Sequence, residues 1–353
     1  MQGEKAQKIP LSKGSVKFEL PYELTSEQSN ISNKVLASFK KRKNVLIHAV
    51  CGAGKTEIVF ETIKYAIENG LQVGFAIPRR EVVQEIYSRL KRAFPLNNVI
   101  AVYGGNTSVL TGDIIVLTTH QIYRYPSYFD LLILDEIDAF PFKDDELLYN
   151  MFVRSVKGNY VMMSATPDAN IIKQLRENEC EIFELKTRFH HMPIPEPSMM
   201  FVIGFLKYFV LLKKLKKFIA NAKKVIIFVP TIEKSISVFR IVSRFISGGN
   251  YVNSKVKNSS HIINEFKANK YSYLVSTSIL ERGITIKSLQ VIVVDADDAI
   301  FDEYSLIQIA GRVGRSKDET YGEVIFLANK ENDAMRNALA TIKECNEHLQ
   351  SVF

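Results

Sequence analysis

The segment Ala49–Thr56, which reads A-V-C-G-A-G-K-T, constrains this chain more than any other stretch in it. A run of apolar, β-favouring residues, Val45–Ala49, leads into it. After it, Ile58, Val59, Ile63, Ala66 and Ile67 fall on one helical stripe over Thr56–Asn69, with Gly70 placed to end the helix. Glycines between a strand and a helix let backbone N–H groups turn inward around an anion, and the helix N-terminus adds its dipole. The spacing therefore predicts a phosphate cradle formed by Cys51, Gly52, Ala53 and Gly54, with Ala49 standing where the pattern usually has its first glycine. Lys55 would reach the terminal phosphates of a nucleotide and the Thr56 hydroxyl would hold Mg²⁺.

The rest of the chain repeats the rhythm of short apolar run and helical stretch. Val73–Ile77, Ile114–Leu117, Leu131–Leu134 and Val161–Met163 read as strands buried on both faces. Beyond residue 200 the pattern resumes with Val225–Val229, Tyr273–Val275, Val291–Val294 and Val324–Leu327. Strands alternating with helices imply right-handed βαβ units and parallel sheets. Pro193, Pro195 and Pro197 break the rhythm in Lys186–Ser198, which reads as an extended linker. The predicted organisation is a loose arm over 1–21, an α/β domain over 22–187, a proline-rich linker over 188–200 and a second α/β domain over 201–353. Met199–Leu212 is apolar but interrupted by Lys207, and is too short for a membrane span; it reads as a helix buried between domains.

A phosphate cradle of this kind needs a carboxylate on its metal ion at the end of a neighbouring strand. Asp135-Glu136-Ile137-Asp138 follows the run Leu131–Leu134 and supplies it. Asp135 would orient the Mg²⁺ ligands and Glu136 would act as general base on a water. Gln308-Ile-Ala-Gly-Arg312-Val-Gly-Arg315 offers two arginines three positions apart, expected on one helical face, to neutralise charge on a transferred phosphoryl group. Because Arg312 and Arg315 fall in the second domain, the site is expected to be completed on domain closure.

Composition narrows the context. The 353 residues carry 46 Lys+Arg against 38 Asp+Glu, a formal charge of +8, which permits an acidic partner such as nucleic acid. Three cysteines, none in C-x-x-C spacing, exclude a disulfide framework and a four-cysteine zinc site, and point to a reducing, cytoplasmic compartment. No apolar core marks Met1–Ser15 as a secretory signal. The basic clusters Lys40–Lys43 and Lys213–Lys217 read as solvated helix faces that would widen an electrostatic footprint.

The order A-x-x-G-x-G-K-T, D-E-I-D, Ser164-Ala-Thr166 and Q-x-x-G-R-x-x-R resembles a superfamily-two helicase, and the resemblance covers roughly residues 22–330. It implies two tandem RecA-like domains, ATP with Mg²⁺ as cofactors, and roles for matching residues. Leu24-Thr25-x-x-Gln28 is similar to the glutamine motif that reads adenine, and Gly283 after Arg282 to the motif that couples the second domain to nucleotide. Arg79, Arg80, Thr118, Thr119 and Thr277 fall in motifs similar to the strand-contacting ones, Thr231 is a further candidate contact near a strand's carboxyl end, and Ser164 and Thr166 match the coupling motif. Within that superfamily, the wording H-A-V-C-G-A-G-K-T-E, T-T-H-Q and S-I-L-E-R-G-I-T resembles the ComFA family of competence proteins, with the PriA helicases as cousins. That family resemblance implies an ATPase acting on incoming single-stranded DNA, with other competence proteins as partners at the inner face of the cell membrane. The family's four-cysteine zinc element has no counterpart here, so no zinc is expected in this chain.

Two other readings share these motifs. One is a strand-separating helicase on DNA or RNA, serving repair or replication restart. The other is a nucleotide-switched binding module, against which Glu136 speaks because a switch needs no positioned base.

Overall fold

The protein is described from a computed structural model, in which residues 5–6, 14, 16–20, 22–50, 52–137, 146–165, 167, 169–185, 188, 192–277, 286–314 and 321–352 are placed. The chain divides into two compact units, Met1–Phe189 and His190–Phe353.

The first unit runs α1 (Ser26–Lys40), β1 (Val45–Ala49), α2 (Lys55–Ile58), α3 (Phe60–Glu68), β2 (Val73–Ile77), α4 (Arg80–Ala93), β3 (Val99–Val102), β4 (Ile114–Thr118), a 3₁₀ turn (Thr119–Arg124), β5 (Phe129–Asp135), α5 (Glu146–Ser155), β6 (Val156–Ser164), α6 (Ala169–Glu177) and β7 (Glu181–Leu185). Its sheet has the order β3-β4-β2-β5-β6-β1-β7. The second unit runs β8 (Ser198–Phe201), α7 (Leu206–Ala220), β9 (Lys224–Phe228), α8 (Ile232–Ser243), β10 (Gly249–Val252), α9 (Ser259–Lys267), β11 (Tyr273–Ser276), β12 (Leu289–Val294), α10 (Glu303–Ala310), β13 (Val324–Ala328) and α11 (Asp333–Val352), around a sheet of order β10-β11-β9-β12-β13-β8. Every ladder between these strands is parallel. This is the α/β architecture that the strand–helix alternation predicts.

Central strands such as β2, β4, β12 and β13 are buried along their whole length, because helices cover both faces of a parallel sheet. Among the described residues the second unit accordingly shows two apolar cores. One holds Phe228, Phe266, Leu306 and Phe326, and the other Leu211, Leu215, Phe218 and Ile227. The predicted helix after the phosphate loop is broken at Val59 into α2 and α3, and Gly70 follows in the left-handed region with φ +68°, its N–H donating to Ile67 O at 2.9 Å.

Two expectations are corrected. The linker is shorter than 188–200: Ser198–Phe201 is strand β8, paired with β13, and Ile194 is buried in the second unit's core with its backbone held by both polar atoms of the Asn346 side chain. Met199–Leu212 is not one buried helix. It is β8, a turn through Gly204 at φ +64° and the start of α7, and Ile203, Phe205, Leu206 and Phe209 are exposed. Left-handed Gly204 ends any helical path through the stretch. Among the described residues no helix is long and apolar enough to cross a membrane.

In the second unit Asp295, just beyond β12, is buried between Lys207 and Lys234; Lys207 Nζ hydrogen-bonds Oδ1, and Lys234 Nζ lies 2.9 Å from Oδ2. Burial alone would raise this carboxyl, but the two ammonium groups outweigh it and hold the group below its ordinary value. A lowered folded-state pKa contributes stability that is present above the unfolded value near 4 and lost as pH falls through the folded one. Asp295→Asn is therefore expected to cost roughly 2 kcal/mol at pH 7. In denaturant titrations its deficit against the parent should shrink steadily below about pH 4; a pH-independent deficit would refute the ionic origin.

Candidate nucleotide site and nucleic-acid contacts

The loop after β1 is shaped by its two glycines and held from outside. Gly52 and Gly54 lie at φ +84° and +77°, and Ala53 N–H donates back to Val50 O at 3.1 Å. Gly54 is required twice over: a Cβ there would stand 2.5 Å from Gln28 Nε2, in addition to the strain of its backbone. Gln28 itself is buried and serves two partners. Its amide donates to Ala53 O at 2.7 Å, while its carbonyl oxygen accepts from Thr25 N at 2.9 Å and completes a capping box on α1. Lys55 Nζ reaches back across the loop to Ala49 O at 3.3 Å, and Thr56 is buried at the start of α2. Cys51 lies outside the described residues.

The sheet order β5-β6-β1 brings the carboxylates beside this loop. Asp135 ends β5 in register with Met163, and Ser164 ends β6 in register with His48. Asp135 and Ser164 are buried, and Asp135 Oδ1 accepts the Glu136 N–H at 2.9 Å. Glu136 occupies the left-handed region at φ +59°. Loop, carboxylates and Ser164 thus leave three adjacent parallel strands at their carboxyl ends, the edge where open α/β sheets bind ligands. Asp138 and Thr166 lie outside the described residues.

A buried network that the sequence reading missed stands behind the loop. Glu57, directly after Thr56, lies 3.5 Å from Arg89 on α4, and Arg89 also pairs with Glu85 at 2.5 Å. The Tyr22 hydroxyl donates to Glu57, and burial pushes the Glu57 carboxyl up against the pull of Arg89. Arg89, a charged residue on the apolar stripe of Val82, Ile86 and Ala93, was the available signal.

The predicted strand contacts of the first unit lie at the far side of the same edge, on β3-β4-β2. Arg79 caps α4, and Arg80 opens it with its guanidinium 4.7 Å above the Tyr103 ring, whose hydroxyl accepts from Gln84 at 3.0 Å. Tyr103 precedes a tight turn in which Asn106 N–H donates to Tyr103 O at 2.8 Å. Thr118 ends β4 and is buried. Thr119 opens the 3₁₀ turn; it is 0% exposed and its hydroxyl has no hydrogen-bond partner among the described residues.

In the second unit Thr231 caps α8, its exposed side chain accepting from Lys234 N at 3.1 Å, and Thr277 follows β11, its carbonyl accepting from the Ser276 hydroxyl at 2.9 Å. Gln308 is buried on α10. Helix α10 stops at Ala310, and Arg312 sits in the turn beyond it, 3% exposed, ahead of Gly314 at φ +68°. Arg315, Arg282 and Gly283 lie outside the described residues.

Residues 25–175 match the DEAD/DEAH box helicase family, and residues 210–317 match the helicase conserved C-terminal domain. The chain is 33% identical over 346 residues to the competence protein ComFA of Bacillus subtilis, covering 94% of this chain and 74% of that protein. The ComFA of Streptococcus pneumoniae is likewise 33% identical, over 92% of this chain and 78% of that protein. The chain belongs to the ComFA family of superfamily-two helicases. The DNA helicase RecG of Streptococcus pneumoniae is more distant, at 24% identity over 94% of this chain and 52% of its own length.

Among solved structures, this ComFA-family chain is similar to Saccharomyces cerevisiae Dbp5 bound to RNA and ADP BeF3, with a TM-score of 0.71, 16% identity, and 93% of this chain and 97% of that one covered. At that identity the likeness establishes the fold: two RecA-like α/β domains, each a parallel sheet flanked by helices. The ComFA-family chain is accordingly an ATP-hydrolysing superfamily-two helicase.

Proposed function

We propose that this chain is a single-stranded-DNA-stimulated ATPase that translocates on the incoming strand during DNA uptake in natural transformation. The observation that carries the reading is the division of one sheet edge, with phosphate loop and carboxylates after β1, β6 and β5, and a basic, aromatic-backed surface after β2, β4 and β3.

In this reading Lys55 and the backbone of Gly52–Gly54 bind the ATP phosphates, and Gln28, already on the loop at Ala53, contacts adenine. Thr56 in α2, beyond the loop that follows β1, and Asp135 at the end of β5, one strand removed from β1, are hard oxygen donors, a set that suits Mg²⁺. Mg²⁺ bound there supplies charge neutralisation at the phosphate oxygens. Glu136 takes the proton of the attacking water, while Asp135 fixes its backbone. Arg312 and Arg315 are our candidates for the cation that meets the developing charge, and Gly283 and Thr166 for coupling alongside Ser164. Arg79 and Arg80, with Thr118, Thr231 and Thr277, would hold phosphate and sugar without reading sequence. Other competence proteins, met at the inner face of the membrane from the cytoplasm, are the proposed partners.

ATP turnover measured with single-stranded DNA, RNA and duplex DNA at matched salt tests this. At least tenfold stimulation is expected from single-stranded DNA, falling as salt rises. Preference for RNA would move the assignment to an RNA helicase, and stimulation by none of the three would leave the nucleotide-switched module.

A further inference from the structure

Arg188 was not among the residues that the motifs single out, yet it lies on the phosphate loop. Strand β7 pairs with β1 in parallel, with Leu185 opposite Ala49, and Val50 N–H extends the ladder by donating to Leu185 O at 3.0 Å. The two chains leave the sheet side by side, so three residues further on Arg188 meets Gly52. A Cβ built on Gly52 would stand 3.4 Å from Arg188 Nε, 3.7 Å from Cγ and 3.9 Å from Cδ, which places the arginine stem and the guanidinium nitrogen flat against the loop. Arg188 is 2% exposed. Burying a guanidinium carries a desolvation cost that a leucine or methionine of similar volume avoids.

We infer that Arg188 is a positioning residue that braces the phosphate loop at Gly52 in its ATP-binding shape, acting through its charge as well as its stem. The cation stands beside a loop built to hold phosphate, so its field favours the anion without requiring direct contact. The position in the chain adds a second consequence. Residues 189–193 are all that separates Arg188, buried on the first unit's loop, from Ile194, buried in the second unit's core. The segment that joins the units is thus fastened at one end to the phosphate loop.

This rests on the phosphate-loop reading of Lys55, and the test separates the two. Arg188→Met keeps the stem and removes the charge; Arg188→Lys keeps a charge. Direct titration with ATP and steady-state turnover are measured for both, beside Lys55→Ala and thermal melts. Arg188→Met is expected to raise the dissociation constant and KM for ATP about tenfold, with kcat within about threefold of the parent, and Arg188→Lys to restore KM to within about threefold. Wild-type KM in Arg188→Met would overturn the inference, as would equal impairment of the two variants, which would mean that arginine's shape alone matters. Should Arg188→Met fail to fold, Arg188→Gln against Arg188→Lys carries the same comparison. If Lys55→Ala also binds ATP normally, the phosphate-loop reading has failed instead.

Discussion

Replacing Lys55 with alanine is expected to weaken ATP binding by at least ~10²-fold while leaving the fold intact. The lysine lies at the first residue of α2, only part-buried, and among the described residues its ammonium group donates to the loop's own Ala49 carbonyl at 3.3 Å. Alanine is at least as good a helix former, so α2 loses nothing locally. What disappears is the one side-chain cation among the loop's own residues positioned to meet the β- and γ-phosphates, whose negative charge the backbone N–H groups cannot balance alone. Calorimetric titration with ATP and Mg²⁺ measures it directly; undiminished affinity with an unchanged melting temperature would sink the assignment.

The second large effect concerns the chemical step. Glu136→Gln should bind ATP as the parent does yet hydrolyse it at least ~10²-fold more slowly, the loss expected for removing a general base. Glutamine matches the size of the side chain and the backbone N–H still donates to Asp135 Oδ1, so the metal-side geometry is retained. Single-turnover hydrolysis with excess enzyme separates chemistry from binding. Full-rate cleavage in that assay would place the base elsewhere.

The sequence made the central strands legible and concealed the edges. β1, β2, β4, β5 and β6 in one sheet and β9, β11, β12 and β13 in the other announce themselves as apolar runs, because helices bury both of their faces. β3, β7, β8 and β10 were not picked out, and each stands at an edge of its sheet. β7 reads E-I-F-E-L and is mostly half-buried, while β8 and β10 are four residues with exposed or half-buried positions, so neither period nor hydrophobicity is strong. Phosphate loop and carboxylates were legible for the same reason that they function: they follow central strands directly. Arg188 was not, since its place depends on β7 lying beside β1, a fact of sheet order that no spacing along the chain encodes. The Arg80–Tyr103 stack depends in the same way on β3 and β2 flanking β4.

Glu136 carries one more implication. A non-glycine residue at φ +59° holds its backbone against its own preference, at a cost on the order of 1–3 kcal/mol. Glycine would relieve that tension, and would also remove the proposed proton acceptor. Mutational drift screened only for a sturdier molecule would therefore favour an inert one at this position. Persistence of glutamate there through laboratory evolution under heat alone, without demand for turnover, would be unexpected; its persistence under demand for turnover would mark the residue as held by chemistry and not by the fold.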